Sequence, residues 1–209
     1  SGGNTSVSEA GSTDAFTVVL DSQPASGVVL TVMSADPGEV TVSPSLLPFT
    51  PANWSTPQTV NVTGQNDLIA DGTQTTTITI AVDDANSDDA FDALDDELVS
   101  VTTFDDDVPG VTVTPTSGLV TTEGGGQATV TVVLNTQPMS NVTIALSSSD
   151  TSEGTVSPAS LTFTSANWNV AQTVTVTGVD DDIDDDNVPY TIVTAPPSSA
   201  DLIYVGLNP

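Results

Sequence analysis

Carboxylates are the only charged side chains in this sequence, and they are bunched rather than scattered. The 209 residues include 28 Asp and Glu and no Lys, Arg or His, for a formal charge of −28. No side chain can pair with any of these acids, so their counter-charge has to come from solution. Two carboxylates ~4 Å apart repel by about 4 kcal/mol at an effective dielectric of 20. Clustered acids therefore fold together most easily around a captured cation. The absence of His and Cys argues against zinc. Magnesium prefers fewer carboxylates and more water, whereas Ca²⁺ accepts about six to eight oxygens in flexible geometry. The expected cofactor is Ca²⁺; the competing reading is an acidic rim that is merely solvated.

The same inventory excludes several functions. Ser and Thr abound, but no His, Lys or Cys is present to activate them. The acids lie in groups rather than as one isolated glycosidase-type pair. The chain is therefore expected not to be an enzyme. Its charge disfavours nucleic acid and anionic membrane surfaces, and no apolar run is long enough to span a membrane. Without cysteine, a metal replaces the disulfide as the natural staple of a secreted domain. Loss of all basic residues suits a salty, calcium-bearing exterior, so the expected location is extracellular, at a cell surface.

Positioning these acids falls to short strands. Val/Thr/Ile-rich runs at 15–20, 28–33, 40–42, 58–63, 75–82 and 97–104 are punctuated by Gly, Pro, Asn, Asp and Ser. The regular alternation speaks against a disordered polyanion. The sequence also repeats itself: Phe49-Thr50-Pro51-Ala52-Asn53-Trp54 returns as Phe163-Thr164-Ser165-Ala166-Asn167-Trp168. Gln58-Thr59-Val60-Asn61-Val62-Thr63-Gly64 returns as Gln172-Thr173-Val174-Thr175-Val176-Thr177-Gly178, again 114 positions later. Glu9, Asp36 and Glu39 recur as Glu123, Asp150 and Glu153. The expected fold is all-β: two tandem immunoglobulin-like antiparallel β-sandwiches of about seven strands each, spanning 1–107 and 108–209. Val111-Thr112-Val113-Thr114 has no counterpart ahead of Ser1, and the second copy stops short of a match for 98–107. Each unit is thus expected to lack or share a terminal strand, taken from a longer array or donated by a neighbour. Trp54 and Trp168 read as core plugs.

Alternating strand direction gathers Glu9, Asp36, Asp67, Asp71, Asp105, Asp106 and Asp107 at one end of the first sandwich, where the second begins. The second copy offers Glu123, Asp150 and the runs Asp180-Asp181-Asp182 and Asp184-Asp185-Asp186. Asp83, Asp84, Asp88 and Asp89 fall at the opposite end, with only Asp201 matched in the second copy.

Glu9-Ala10-Gly11, Glu123-Gly124-Gly125-Gly126, the valine strand entering Val179-Asp180-Asp181-Asp182, and the closing Asp105-Asp106-Asp107 resemble a Calx-beta domain, the calcium-binding sandwich of sodium–calcium exchangers and many bacterial surface proteins. The resemblance implies calcium ligands at Glu9, Asp36, Asp67, Asp71, Asp105, Asp106 and Asp107. In the second copy it implies Glu123, Asp150, Asp180, Asp181 and Asp185. The family's usual Asp-Gly-Thr-Ala segment is replaced by Asp36-Pro37-Gly38-Glu39 and Asp150-Thr151-Ser152-Glu153. The expected function is a structural calcium-binding repeat of an extracellular adhesin or surface filament, rigidified by Ca²⁺ at the junction between units. Neighbouring copies of the same repeat are the expected partners, joined in one chain or by strand donation. The alternative is a carbohydrate- or surface-binding module with a glycan or cell-surface ligand.

Overall fold

The computed structural model describes residues 5–180, 182 and 186–209. The chain divides into two compact units, one of Ser1–Asp67 with Asp71–Asp106 and one of Leu68–Ala70 with Asp107–Pro209. Both are all-β sandwiches of immunoglobulin-like type, and no described helix is long and apolar enough to cross a membrane.

In the first unit the strands are β1 (Thr5–Ser8), β2 (Thr13–Val18), β3 (Val28–Ser34), β4 (Val40–Ser43), β5 (Leu46–Phe49), β6 (Gln58–Gly64), β7 (Gln74–Val82) and β8 (Glu97–Phe104). They form a five-stranded sheet ordered β1-β8-β7-β3-β5 and a three-stranded sheet ordered β2-β6-β4. Period-two alternation places one face of each sheet inward. Val28, Val32, Val40, Leu47, Val60, Val62, Ile78 and Val101 accordingly form a closed core, with Trp54 packed against its edge. The pairing departs from the antiparallel expectation in one place: β1 runs parallel to β8, with Thr5 opposite Val101 and Ser8 opposite Phe104. Two strands, β1 and β5, lie outside the six runs legible in the sequence. β5 carries Pro48, tolerated because β5 is the sheet's edge.

The second unit comprises β9 (Val111–Thr114), β10 (Gln127–Leu134), β11 (Val142–Ser148), β12 (Gly154–Ser157), β13 (Ser160–Phe163), β14 (Gln172–Gly178), β15 (Ile192–Thr194) and β16 (Ser198–Ser199). One sheet is ordered β12-β14-β10-β9; the other is β13-β11-β15, with β16 also on β11. Its core centres on Val132, Val142, Ile144, Phe163, Val174 and Tyr204, with Trp168 buried among them.

Gly64 and Gly178 end the matching strands β6 and β14 for the same steric reason. A Cβ at Gly64 would collide with the backbone carbonyl of Ser8, and one at Gly178 with that of Thr122. The repeated Gln-Thr-Val motif therefore closes on the one residue that admits another chain segment at contact distance.

Candidate metal centre

In the first unit, three loops at one end bring acids together. Glu9 directly follows β1, and its N–H donates to the carbonyl of Phe104 at 3.0 Å, so the pairing of β1 with β8 fixes its backbone. Glu39 directly precedes β4, whose first residue, Val40, is fully buried. Asp71 lies in the connection from β6 to β7. One carboxylate oxygen from each of Glu9, Glu39 and Asp71 lies within 4.8 Å of the other two.

This is an unusual place for negative charge. Glu9 is only 1% exposed and Glu39 8%, and Asp71 is half-buried. Both carboxylate oxygens of Glu9, Oε2 of Glu39 and Oδ1 of Asp71 have no hydrogen-bond partner. Burial pushes the Glu9 carboxyl up to about 7, reinforced by the charges of Asp105, Asp67, Glu39 and Asp71. Glu39 is raised for the same reason, burial first and then Asp71, Asp67, Asp36 and Asp105. Buried acids are normally paired or hydrogen-bonded. Four unpartnered oxygens in one small volume are a hard, all-oxygen donor set that fits Ca²⁺.

The other acids of the first unit divide by their local bonds. Asp105 follows β8, and its Oδ2 accepts the Gly72 N–H at 2.7 Å, tying the strand end to the Asp71 loop. Asp67 is half-buried and acts on Glu9 and Glu39 through its charge. Asp36 is exposed; its Oδ1 accepts the Gly38 N–H at 2.9 Å, which shapes the turn leading to Glu39. Asp106 is exposed, and Asp107 falls in the second unit, half-buried. Glu39 is the residue that sequence reasoning left out of the ligand set. Its signal was present, since Glu39 recurs as Glu153 at the 114-residue offset.

The second unit arranges its acids differently. Glu123 is exposed in the turn after Thr122, and Asp180 is exposed beyond β14. Asp150 is half-buried, but its Oδ1 accepts the N–H of Ser152 at 3.0 Å; the Ser152 hydroxyl and then that N–H hold its carboxyl below the usual range. Asp181 and Asp185 lie outside the described residues. Among the described residues, no three acids of the second unit alone come together. The difference traces to Glu9: its counterpart Glu123 follows Leu119–Thr122, a segment that belongs to no strand.

At the opposite end, two acids serve the backbone. Asp88 Oδ2 accepts the N–H groups of Ala25 and Ser26 at 2.7 and 2.9 Å. Asp201, buried, accepts the N–H of Met139 at 2.8 Å. Ala25 and Met139 occupy the same place in the two repeats, after Gln23-Pro24 and Gln137-Pro138. Each acid thus staples the same loop, and three residues later Phe91 and Tyr204 enter the cores. Replacing Asp201→Ala strands the Met139 amide; the expected loss is about 2 kcal/mol in the second unit, measured by urea denaturation. An unchanged midpoint would contradict this assignment.

No family model matches the chain, and no curated protein matches it by sequence. Among solved structures, it is similar to the calcium binding domain CBD12 of CALX1.1 at 14% identity, over 93% of this chain and 78% of that one, with a TM-score of 0.41. CBD12 from CALX1.2 gives 14% identity, 94% and 79% coverage and a TM-score of 0.41. The CsuC–CsuE chaperone–tip adhesion subunit complex from Csu pili of Acinetobacter baumannii gives 8% identity, 91% and 94% coverage and a TM-score of 0.38. With all three scores below 0.5, the sandwich architecture stands on the strands and registers themselves.

Proposed function

We propose that the chain is a structural calcium-binding repeat, and that its first unit holds Ca²⁺ through Glu9, Glu39 and Asp71, with Asp67 and Asp105 beside them. The observation that carries this reading is the burial of four carboxylate oxygens without a hydrogen-bond partner. A divalent cation supplies the charge that this sequence, lacking any Lys, Arg or His, cannot. The location is extracellular, where calcium is plentiful, and the role is that of a stalk or filament element in an adhesin or surface array. Neighbouring copies of the repeat are its partners. Asp105 opens the Asp105-Asp106-Asp107 run that leads from one unit into the next, so ion capture there stiffens the junction.

Calcium titration by calorimetry, together with small-angle scattering with and without chelator, tests both halves. The expected result is saturable binding at micromolar to millimolar Ca²⁺, greatly weakened in the double variant Glu9→Gln, Glu39→Gln, and a narrower range of chain dimensions when calcium is bound. Absence of heat and of any scattering change at millimolar calcium would sink the proposal.

A further inference from the structure

A groove of about 680 Å³ opens in the first unit between the segment that follows β2 and the loop that leads into β8. Its floor is apolar: Leu20, Leu30, Ile80 and Phe91 line it and are buried. Its walls are acidic. Asp21 lines it from the first segment, Asp95 and Glu97 from the second, and all three are exposed. Asp88, between them, is already occupied, since its oxygens accept the N–H groups of Ala25, Ser26 and Ala90.

The second unit has larger side chains at the same place. Aligned on Asp88 and Asp201, the residues Ala90, Phe91 and Leu94 become Ile203, Tyr204 and Leu207. Tyr204 is fully buried and its hydroxyl donates to the carbonyl of Thr136 at 2.7 Å, while Ile203 and Leu207 pack against the core. In the first unit Phe91 has no hydroxyl, Ala90 is short, and Leu94 is 57% exposed. Charge changes together with shape. Asp89, Asp92, Asp95 and Asp96 stand where the second unit has Leu202, Val205, Asn208 and Pro209. Uncompensated charge thus gathers beside the open groove: the Asp92 carboxyl is held above its usual range by burial and then by the charges of Asp84, Asp89 and Asp88. An apolar floor between carboxylate walls suits a ligand that is apolar on one side and cationic at its edges. A bare dication would gain nothing from the floor, and a neutral apolar ligand nothing from the walls.

We propose that this groove binds a short basic segment of a partner protein, extended, with apolar side chains flanked by Lys or Arg. The apolar side chains lie on Leu20, Leu30 and Phe91. The cations reach Asp21 on one wall and Asp95 and Glu97 on the other. The groove falls within the usual size of a ligand site, roughly 300–1,000 Å³. This sequence has no Lys or Arg to place there, and its charge of −28 attracts a basic segment before contact. The inference does not rest on calcium, because none of these residues belongs to the Glu9, Glu39 and Asp71 cluster.

The test mixes the full chain with a capped Lys-Leu-Lys-Leu-Lys peptide at about 0.15 M salt, where long-range attraction is screened. Binding is followed by anisotropy of a dye on the peptide and by backbone amide shifts. The expected result is saturable binding with shifts concentrated at 18–25 and 88–97. A Lys-Ser-Lys-Ser-Lys peptide keeps the charge and should bind about tenfold more weakly or worse, having lost the apolar contact. The triple variant Asp21→Asn, Asp95→Asn, Glu97→Gln should weaken binding by about tenfold. Ala90→Ile copies Ile203, keeps every charge and should weaken binding by a similar factor by filling the groove. All four substituted side chains are exposed, so the fold tolerates the changes. Equal affinity for the Ser-bearing peptide would mean that the chain attracts any cation as a polyanion, and overturns the proposal. So would shifts centred on Glu9 and Asp71, or unchanged affinity in either the triple variant or Ala90→Ile.

Discussion

Stripped of calcium, the first unit is expected to melt about 10–20 °C below its calcium-saturated form. Ligand at about a hundredfold over its dissociation constant stabilises a fold by about 2.7 kcal/mol per site. In a domain of roughly a hundred residues each kcal/mol moves Tm by about 4–8 °C. The second unit should respond far less, because Glu123 and Asp180 are exposed and Asp150 is already bonded to Ser152. The chain offers its own reporters, since Trp54 packs on one core and Trp168 on the other. In a Trp168→Phe variant, fluorescence follows the first unit alone. Equal transitions with calcium and with chelator would remove the ion from the account.

Calcium-free protein should become more stable as pH falls, the reverse of ordinary acid denaturation. The folded-state pKa of Glu9 is raised from 4.5 to about 7 by burial and by the charges of Asp105, Asp67, Glu39 and Asp71. Between those two values the folded state binds the proton and the unfolded state does not, so stability is gained below pH 7 and lost as pH rises through it. Each tenfold difference in proton affinity between the two states is worth about 1.4 kcal/mol, so Glu9 contributes on the order of 3 kcal/mol. Glu39 acts in the same direction. Saturating calcium should invert the trend, because protons and the cation compete for the same oxygens. Glu9→Gln should raise the apo midpoint near neutral pH, flatten its pH dependence and weaken calcium binding together. Chemical denaturation across pH in chelator reads the first two; a variant less stable than wild type in chelator at about pH 8 would show that burial of the charge is not the strain inferred here.

The architecture was legible because it is written locally and twice. Alternating Val and Thr marks inward and outward faces strand by strand, and a constant 114-residue offset aligns the copies from Glu9 to Gly64. Strand parity also brings Glu9, Asp71 and Asp105 to one end, as the bond from Gly72 to Asp105 illustrates. Parity does not say which of two nearby acids points inward. Asp36 spends its side chain on the Gly38 amide, whereas Glu39 is carried inward next to the buried Val40. Repetition likewise does not carry burial from one copy to the other. Glu9 and Glu123 match in sequence, yet Glu9 is buried, with its N–H held by the carbonyl of Phe104, whereas Glu123 is exposed. That pairing joins residues far apart in the chain and leaves no trace in the segment around either glutamate. β1 stayed hidden for the same reason: four residues of Thr5-Ser6-Val7-Ser8 become a strand only beside β8.

The parallel pairing of β1 with β8 has a mechanical consequence. These are the first and last strands of the first unit, so a pull on its two ends draws them past each other along their length. In that shear geometry the rungs from Thr5–Val101 to Ser8–Phe104 bear the load together, whereas antiparallel neighbours pulled from one end would peel apart rung by rung. A segment of only four residues can thus act as the latch that sets the force at which the whole sandwich yields.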